Sequence, residues 1–187
     1  MGKDREIRVE AALALAAKRD GQAFAEIVEE YQAMVFSIAF HFLEDRGTAE
    51  DVAQEVFLEL YQRLPVIQSP AHLTYWLRRV AVHRSIDQGR RRKHRSELAL
   101  EDVFEQAVTT AMRDPLLRGQ LQQSLAALPE KQRMIVVLRY QEDLGPAEIA
   151  ELLEMPVNTV KSTLHRSLEE LRRLLTRRLG EIRYAFF

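Results

Sequence analysis

The sequence contains no cysteine and few helix-breaking residues, with seven glycines and six prolines among 187 residues. The lack of cysteine excludes disulfide bonds and cysteine-ligated zinc, and it fits the reducing cytoplasm, where we expect the protein to act. No apolar run approaches about 18 residues, so we expect no membrane span. The charged N-terminal stretch MGKDREIRVE has no apolar core or small-residue cleavage site, so a signal peptide is not expected.

Enzymatic motifs are missing as well. There is no phosphate-binding loop, no cysteine nucleophile and no HExxH metal motif. Adjacent carboxylates such as Glu29 and Glu30 point apart on a helix, so they form no general acid/base pair. No metal-ligand spacing relates the five histidines, which are His41, His72, His83, His94 and His165. We therefore expect no catalytic residue, no metal, no cofactor and no enzymatic activity.

Charge is balanced overall but segregated along the chain. The formal net charge is −1. Residues 26–59 carry nine acids and one base, Arg46, whereas residues 78–95 carry eight bases and one acid. Residues 161–178 are again basic, with six bases and two acids. This asymmetry indicates one protein partner and one polyanionic partner.

Apolar residues recur at helical spacing, and no segment shows strand alternation, so the sequence predicts an all-α protein. The acidic stretch SELALEDVFEQAVTTAMRD interrupts this pattern. We assign residues 96–117 to a flexible acidic linker that joins two small helical domains, residues 1–95 and 118–187. The expected helices lie near residues 5–19, 22–42, 48–63, 70–93, 115–127, 130–141, 146–153 and 157–178.

The C-terminal domain contains a helix-turn-helix pattern between Gly145 and Leu175. Pro146 suits the first turn of a short helix, and Pro156 separates this helix from the next one. An apolar stripe is expected along the second helix, formed by Val160, Leu164, Leu168, Leu171 and Leu175. Its polar side fits the DNA major groove and carries Asn158, Lys161, Ser162, His165, Arg166, Arg172 and Arg173. Thr163 suits shorter-range contacts, and Thr159 suits a contact with phosphate. The same residues are equally compatible with an ordinary solvated helix face.

Two N-terminal segments also suggest interfaces. In DVAQEVFLELYQRL (51–64), Leu58 lies on the polar side with Asp51, Gln54 and Glu55, which favours a protein-binding surface or a solvated helix with one stray leucine. The segment 74–95 begins with aromatic residues and ends strongly basic. Aromatic rings beside arginines suit unstacked single-stranded DNA, although Trp76 and His83 are also compatible with structural roles.

Together, these segments resemble the extracytoplasmic function (ECF) group of the sigma-70 family of transcription initiation factors. Residues about 20–93 are similar to sigma region 2, through DGQAFAEIVEEY, AEDVAQEVFLELYQRL and YWLRRVAVHRSIDQGRRRK. Residues about 118–178 are similar to sigma region 4, through SLAALPEKQRMIVVLRY and the helix-turn-helix. The resemblance covers about three-quarters of the chain, and its five motifs in this order are strongly specific.

The resemblance implies a sigma factor that directs core RNA polymerase to promoter DNA and melts it. Asp51, Gln54, Glu55 and Leu58 match the helix that docks on the clamp coiled coil of core polymerase, and a contact of the protein with the polymerase flap is also implied. The −10 element would be captured by Trp76, Arg79, His83, Arg84, Arg90, Arg91, Arg92 and Lys93. The −35 element would be read by Thr159, Lys161, Ser162, Thr163, His165 and Arg166. The linker resembles the segment that threads toward the RNA exit path, and an anti-sigma protein is an expected partner.

Three features depart from the family pattern. Family members often have asparagine where His83 stands, at a position associated with the captured −10 base, and Asn158 stands where glycine is frequent. The tail GEIRYAFF ends in aromatics that the pattern does not require. Three aromatic residues are unfavourable in water, so this tail either packs on a domain or a partner or forms a flexible end without a role.

Three other functions remain open. A sigma-like decoy that sequesters an anti-sigma factor would have lost the basic faces that this chain retains. A helix-turn-helix repressor would leave the acidic helix and the Trp76 helix unexplained, and an enzyme is the least compatible with the motifs. Promoter-specific initiation by core polymerase with the purified protein distinguishes all four.

Overall fold

The backbone of residues 2–98 and 115–185 is described by a computed structural model, with side chains described over 4–93 and, apart from Arg118, 117–178. The described part is all-α, as the sequence predicts. Contacts divide the chain into two units, residues 1–95 and 96–187. The helices are α1 (Gly2–Ala16), α2 (Gly21–Leu43), α3 (Arg46–Arg63), α4 (Pro70–Leu98), α5 (Pro115–Ala126), α6 (Glu130–Tyr140), α7 (Pro146–Leu153) and α8 (Val157–Ala185), with a 3-10 turn at Leu64–Val66.

Both ends of the expected linker are helical. Residues 96–98 continue α4, and α5 begins at Pro115, whose missing N–H is not needed in a first helical turn. The remainder, 99–114, lies outside the described residues, so the linker itself stays a prediction. Helix α8 also runs on to Ala185, seven residues beyond the predicted end. The side chains of the aromatic tail lie outside the described residues too.

The core of the first unit forms where α2 and α3 pack together with the apolar side of α4. Helix α2 begins at an Asp20 cap, whose carboxylate accepts a hydrogen bond from the Ala23 N–H at 3.0 Å. Helix α1 ends at Ala16 rather than near residue 19 because Arg19, at φ 70°, turns the chain to place this cap. The largest fully buried side chains of this unit are Phe42, Ile27, Ile38, Leu60, Leu73 and Leu77.

Two local features fix α3 and α4 against the end of α2. Asp45 caps α3 by accepting a hydrogen bond from the Thr48 N–H at 2.7 Å. In α4, Gly89 faces the buried Phe42 ring so closely that an added Cβ would lie 3.0 Å from a ring carbon. A glycine inside a helix ordinarily costs about 0.5–1 kcal/mol relative to alanine, and here it allows α4 to approach α2.

In the second unit, α5, α6 and α7 all pack against α8. Buried residues of this core include Met134, Ile135 and Leu138 of α6 and Ile149 of α7. Helix α7 starts at Gly145, whose N–H donates to the Glu148 carboxylate at 2.8 Å. It ends where Glu154 adopts φ 53°, and α8 begins three residues later. The helix-turn-helix of the sequence is therefore formed by α7 and α8.

The prediction of an apolar stripe along α8 is partly wrong. Leu168 is exposed, whereas Thr163 and Ser167 are buried. At about 100° per residue, the buried face is rotated by roughly 55° from the leucine stripe. Helix α8 contacts three other helices, and the small side chains of Thr163 and Ser167 lie on the side where these helices pack against it. The Ser167 hydroxyl donates a hydrogen bond to the Thr163 carbonyl at 2.8 Å.

Candidate functional site

An exposed acidic face runs along α3. Burial of Val52, Val56 and Leu60 turns the opposite side of this helix outward. The outward face carries Asp51, Gln54, Glu55 and Leu58, all exposed. Leu58 is the unusual member because its side chain is 62% exposed among polar neighbours. An apolar contact ringed by polar groups is typical of a protein-binding surface rather than a catalytic site.

A groove lies between α3 and α4 in the first unit. It brings together four residues that the sequence assigned to −10 recognition, namely Trp76, Arg79, His83 and Arg84. The groove is also lined by Glu59, Arg63, His72, Tyr75, Val80 and Asp87. His72 had no role assigned from the sequence, although it precedes Trp76 by one helical turn. Residues four positions apart lie on the same face of a helix, so the sequence could have placed His72 beside Trp76.

Arg84 spans the groove and pairs with two carboxylates of α3. Its Nη1 donates to Glu55 Oε2 at 2.9 Å, and its Nη2 donates to Glu59 Oε2 at 2.9 Å. The hydrogen bond to Glu59, together with the charges of Glu55, Glu59 and Asp87, raises the pKa of Arg84 above its ordinary value. Arg84 therefore connects the candidate −10 helix to the candidate polymerase-binding helix.

The basic end of α4 is divided between two environments. Arg91 and Lys93 are exposed, as is Arg90, whose guanidinium lies 3.9 Å from Asp87. Arg92 instead reaches back to the α2–α3 junction, where it lies 3.4 Å from the Leu43 carbonyl oxygen and 3.8 Å from Asp45 Oδ1. A cation at this position complements the partial negative charge at the C-terminus of α2.

The polar face of α8 presents most of the residues that were assigned to −35 recognition. Lys161, Ser162, His165 and Arg166 are exposed, and Thr159 is half-buried. Glu169 lies 3.3 Å from the His165 Nε2, and Arg166 turns back onto its own helix through the Ser162 carbonyl at 3.3 Å. The assignment of Thr163 to −35 recognition is corrected. Thr163 is only 8% exposed and lies on the packing side of α8, so it cannot reach a base edge.

Neither a metal cluster nor a membrane-spanning helix is found in the described part of the chain. No group of three or more His, Asp or Glu side chains there is arranged to hold a metal ion. Within the same residues, no helix is long and apolar enough to cross a membrane.

Family models match both units. Residues 27–96 match sigma-70 region 2, and residues 118–171 match sigma-70 region 4. The ECF RNA polymerase sigma factor SigW of Bacillus subtilis is 32% identical over 171 residues, covering 84% of this chain and 91% of that protein. The chain belongs to the sigma-70 family, in its ECF group. The RNA polymerase sigma-E factor of Streptomyces coelicolor is 34% identical over 155 residues, covering 83% of this chain and 87% of the relative.

Solved structures show the same fold. The sigma factor RpoE of Bartonella quintana, in a co-crystal with the anti-sigma factor NepR, matches with a TM-score of 0.67 at 19% identity, over 82% of this chain and 96% of that one. CnrH in complex with the cytosolic domain of CnrY matches with a TM-score of 0.66 at 22% identity, over 90% and 97%. As an ECF sigma factor, this chain directs promoter-specific initiation of transcription.

Proposed function

We propose that this sigma factor binds core RNA polymerase through the exposed face of α3, with the clamp coiled coil as its partner. The observation that carries the proposal is Leu58, which is 62% exposed in the same face as three exposed polar residues, Asp51, Gln54 and Glu55. Burial of a leucine against a partner is worth about 1.5–3 kcal/mol, and the carboxylates around it would select a basic surface.

The DNA contacts follow from the two basic faces. The α3–α4 groove, with Trp76, Arg79 and His83, would hold an unstacked −10 base while Arg90, Arg91 and Lys93 neutralise phosphates. The exposed side of α8 would read the −35 element through Lys161, Ser162, His165 and Arg166, with Thr159 at a phosphate. Such a protein has no catalytic residue of its own and acts in the cytoplasm, where polymerase and promoter DNA are found.

An anti-sigma factor is proposed as a further partner, and the polymerase flap as a second contact of the initiation complex. The anti-sigma proposal is supported by the related fold of the sigma factor RpoE, which was crystallised with the anti-sigma factor NepR.

Reconstituted transcription tests the proposal. Core polymerase with the purified protein is expected to start RNA chains at specific promoters, and the double variant Asp51→Lys, Glu55→Lys is expected to lose core binding. Glu55→Lys also breaks the ion pair with Arg84, but an exposed pair contributes only about 0–1 kcal/mol, so the variant should remain folded. The matched control reverses Glu26 and Glu29, two exposed carboxylates of α2. Equal core affinity in both double variants would show that the α3 face is not the polymerase site.

A further inference from the structure

The ion cluster of Arg84, Glu55 and Glu59 joins two surfaces to which the proposed function gives different partners. Glu55 lies in the proposed polymerase face of α3, and Arg84 lies in the proposed −10 helix. Both terminal nitrogens of the guanidinium are engaged at 2.9 Å, one with each carboxylate. We propose that Arg84 is a positioning residue for polymerase binding and does not contact DNA.

The local charge disfavours a phosphate at Arg84. Its two carboxylate partners already outweigh its single positive charge, and Asp87 adds a third acid close enough to influence the guanidinium. A phosphate placed at this guanidinium would meet its two carboxylate partners and would have to displace one of them. Arg91 and Lys93 are exposed further along the same helix, and a phosphate could bind them without displacing a paired carboxylate.

Arg84 also keeps Glu55 in place for its partner. Glu55 and Glu59 are one helical turn apart, so their charges repel each other unless a cation lies between them. The guanidinium supplies that cation and restricts the rotamers of Glu55 through the fixed geometry of its donors. The Glu55 side chain remains 54% exposed, so a polymerase surface still reaches it. Ordering before binding reduces the entropy that association would otherwise cost.

A matched pair of arginine variants tests this inference, which rests on the proposed polymerase surface. Arg84→Gln and Arg91→Gln remove the same charge from the same helix, one beside α3 and one exposed. Arg84→Gln is expected to weaken binding to core polymerase in the absence of DNA about two- to fivefold and to leave the salt slope of promoter binding by the holoenzyme unchanged. Arg91→Gln is expected to leave core binding unchanged and to lower that slope by about one.

A double variant separates the inference from the function on which it rests. With Glu55→Ala in place, Arg84→Gln should weaken core binding no further, because the side chain that Arg84 positions is gone. Thermal unfolding of each variant confirms that it is folded. If Glu55→Ala weakens core binding and Arg84→Gln does not, then the inference is wrong and the polymerase surface stands. If Glu55→Ala itself binds normally, the inference is wrong, because Glu55 then contributes nothing that Arg84 could position, and the surface is judged by the Asp51→Lys, Glu55→Lys variant alone.

Discussion

At the scale of single residues, Lys161 gives the sharpest test of −35 recognition. It is exposed near the start of α8, the part of a recognition helix that reaches base edges. Lys161→Ala is expected to weaken promoter binding by about 1–3 kcal/mol and to abolish discrimination at one −35 base pair. Arg177→Ala, an exposed change four turns further along, is the control and should leave base preference intact. A uniform loss across sequences with a salt slope lower by about one would make Lys161 a phosphate contact.

His83 is expected to set part of the −10 preference. Its exposed ring lines the α3–α4 groove with Trp76 and Arg79. A neutral imidazole and an asparagine amide both offer a donor and an acceptor, but their reach differs, and only the ring can stack on a base. His83→Asn should therefore reorder promoters that differ at one −10 position and leave core binding unchanged. Identical rankings for a complete set of single −10 substitutions would assign His83 a structural role.

Residue types on exposed faces could be assigned from the sequence, whereas long-range pairings could not. Helical periodicity placed Asp51, Gln54, Glu55 and Leu58 together because it needs only the repeat of one helix. Arg84 was grouped with the DNA-binding residues because its partners lie 25 and 29 positions away in the sequence. Thr163 was placed on the wrong side because α8 packs through small polar residues as well as leucines.

At the scale of elements, the Asp45 cap determines where α3 begins and should make its stability depend on pH. Hydrogen bonds from Thr48, and to a smaller extent the charge of Arg92, lower the pKa of Asp45 below 3.8. The stabilisation from its ionised form is thus complete above pH 3.8 and is lost as the pH falls through the lower folded-state value. Wild type should unfold at a higher temperature than Asp45→Asn at pH 7, and the difference should vanish in strong acid.

Two substitutions separate the charge of Asp45 from its capping bond. Asparagine also caps helices well, so Asp45→Asn removes mainly the charge, whereas Asp45→Ala removes the cap and should cost about 0.5–2 kcal/mol at any pH above acid unfolding. A stability gap between wild type and Asp45→Asn that stays constant from pH 7 down to pH 2 would contradict the assignment of the charged form.

Helix positions were largely predictable, and most helix ends agree with the prediction within one residue, but the ends of α1, α4 and α8 do not. The starts at Pro70, Pro115 and Pro146 follow from proline, which tolerates a first helical turn. The end of α1 depends on the left-handed conformation of Arg19, a residue type that gives no local signal for such a turn. The role of Gly89 could not be predicted either, because a glycine inside a basic helix does not indicate that Phe42 packs against it.

At the scale of the whole molecule, the segregated charges correspond to separate interfaces. The acids of α3 suit a protein partner, and the bases of α4 and α8 suit DNA, so a net charge of −1 is compatible with promoter binding. Salt should therefore affect the two associations differently. Promoter binding depends on counterions released from several phosphates, whereas the α3 face also buries Leu58, whose contribution is apolar.

The length of the connection between the two units should limit which promoters the protein can use. Residues 99–114 number sixteen, and a fully extended chain of that length spans at most about 55 Å. The nominal −35 and −10 positions lie roughly 85 Å apart along B-DNA, so a shorter connection should restrict the promoter spacings at which both units can bind at once. Deleting residues 103–110 removes up to about 28 Å of reach, equivalent to about eight base pairs.

We expect this deletion to abolish initiation at promoters of normal spacing and to leave core binding intact, since α3 is unchanged. The control replaces the same eight residues with glycine and serine, which restores length and removes the native side chains, Glu105 among them. If length is the requirement, the replacement initiates normally. If the replacement binds promoter DNA but fails to initiate, the side chains of residues 103–110 are needed in addition to their length. Normal initiation by the shortened chain would contradict both interpretations, because neither the reach nor the side chains of residues 103–110 would then be needed.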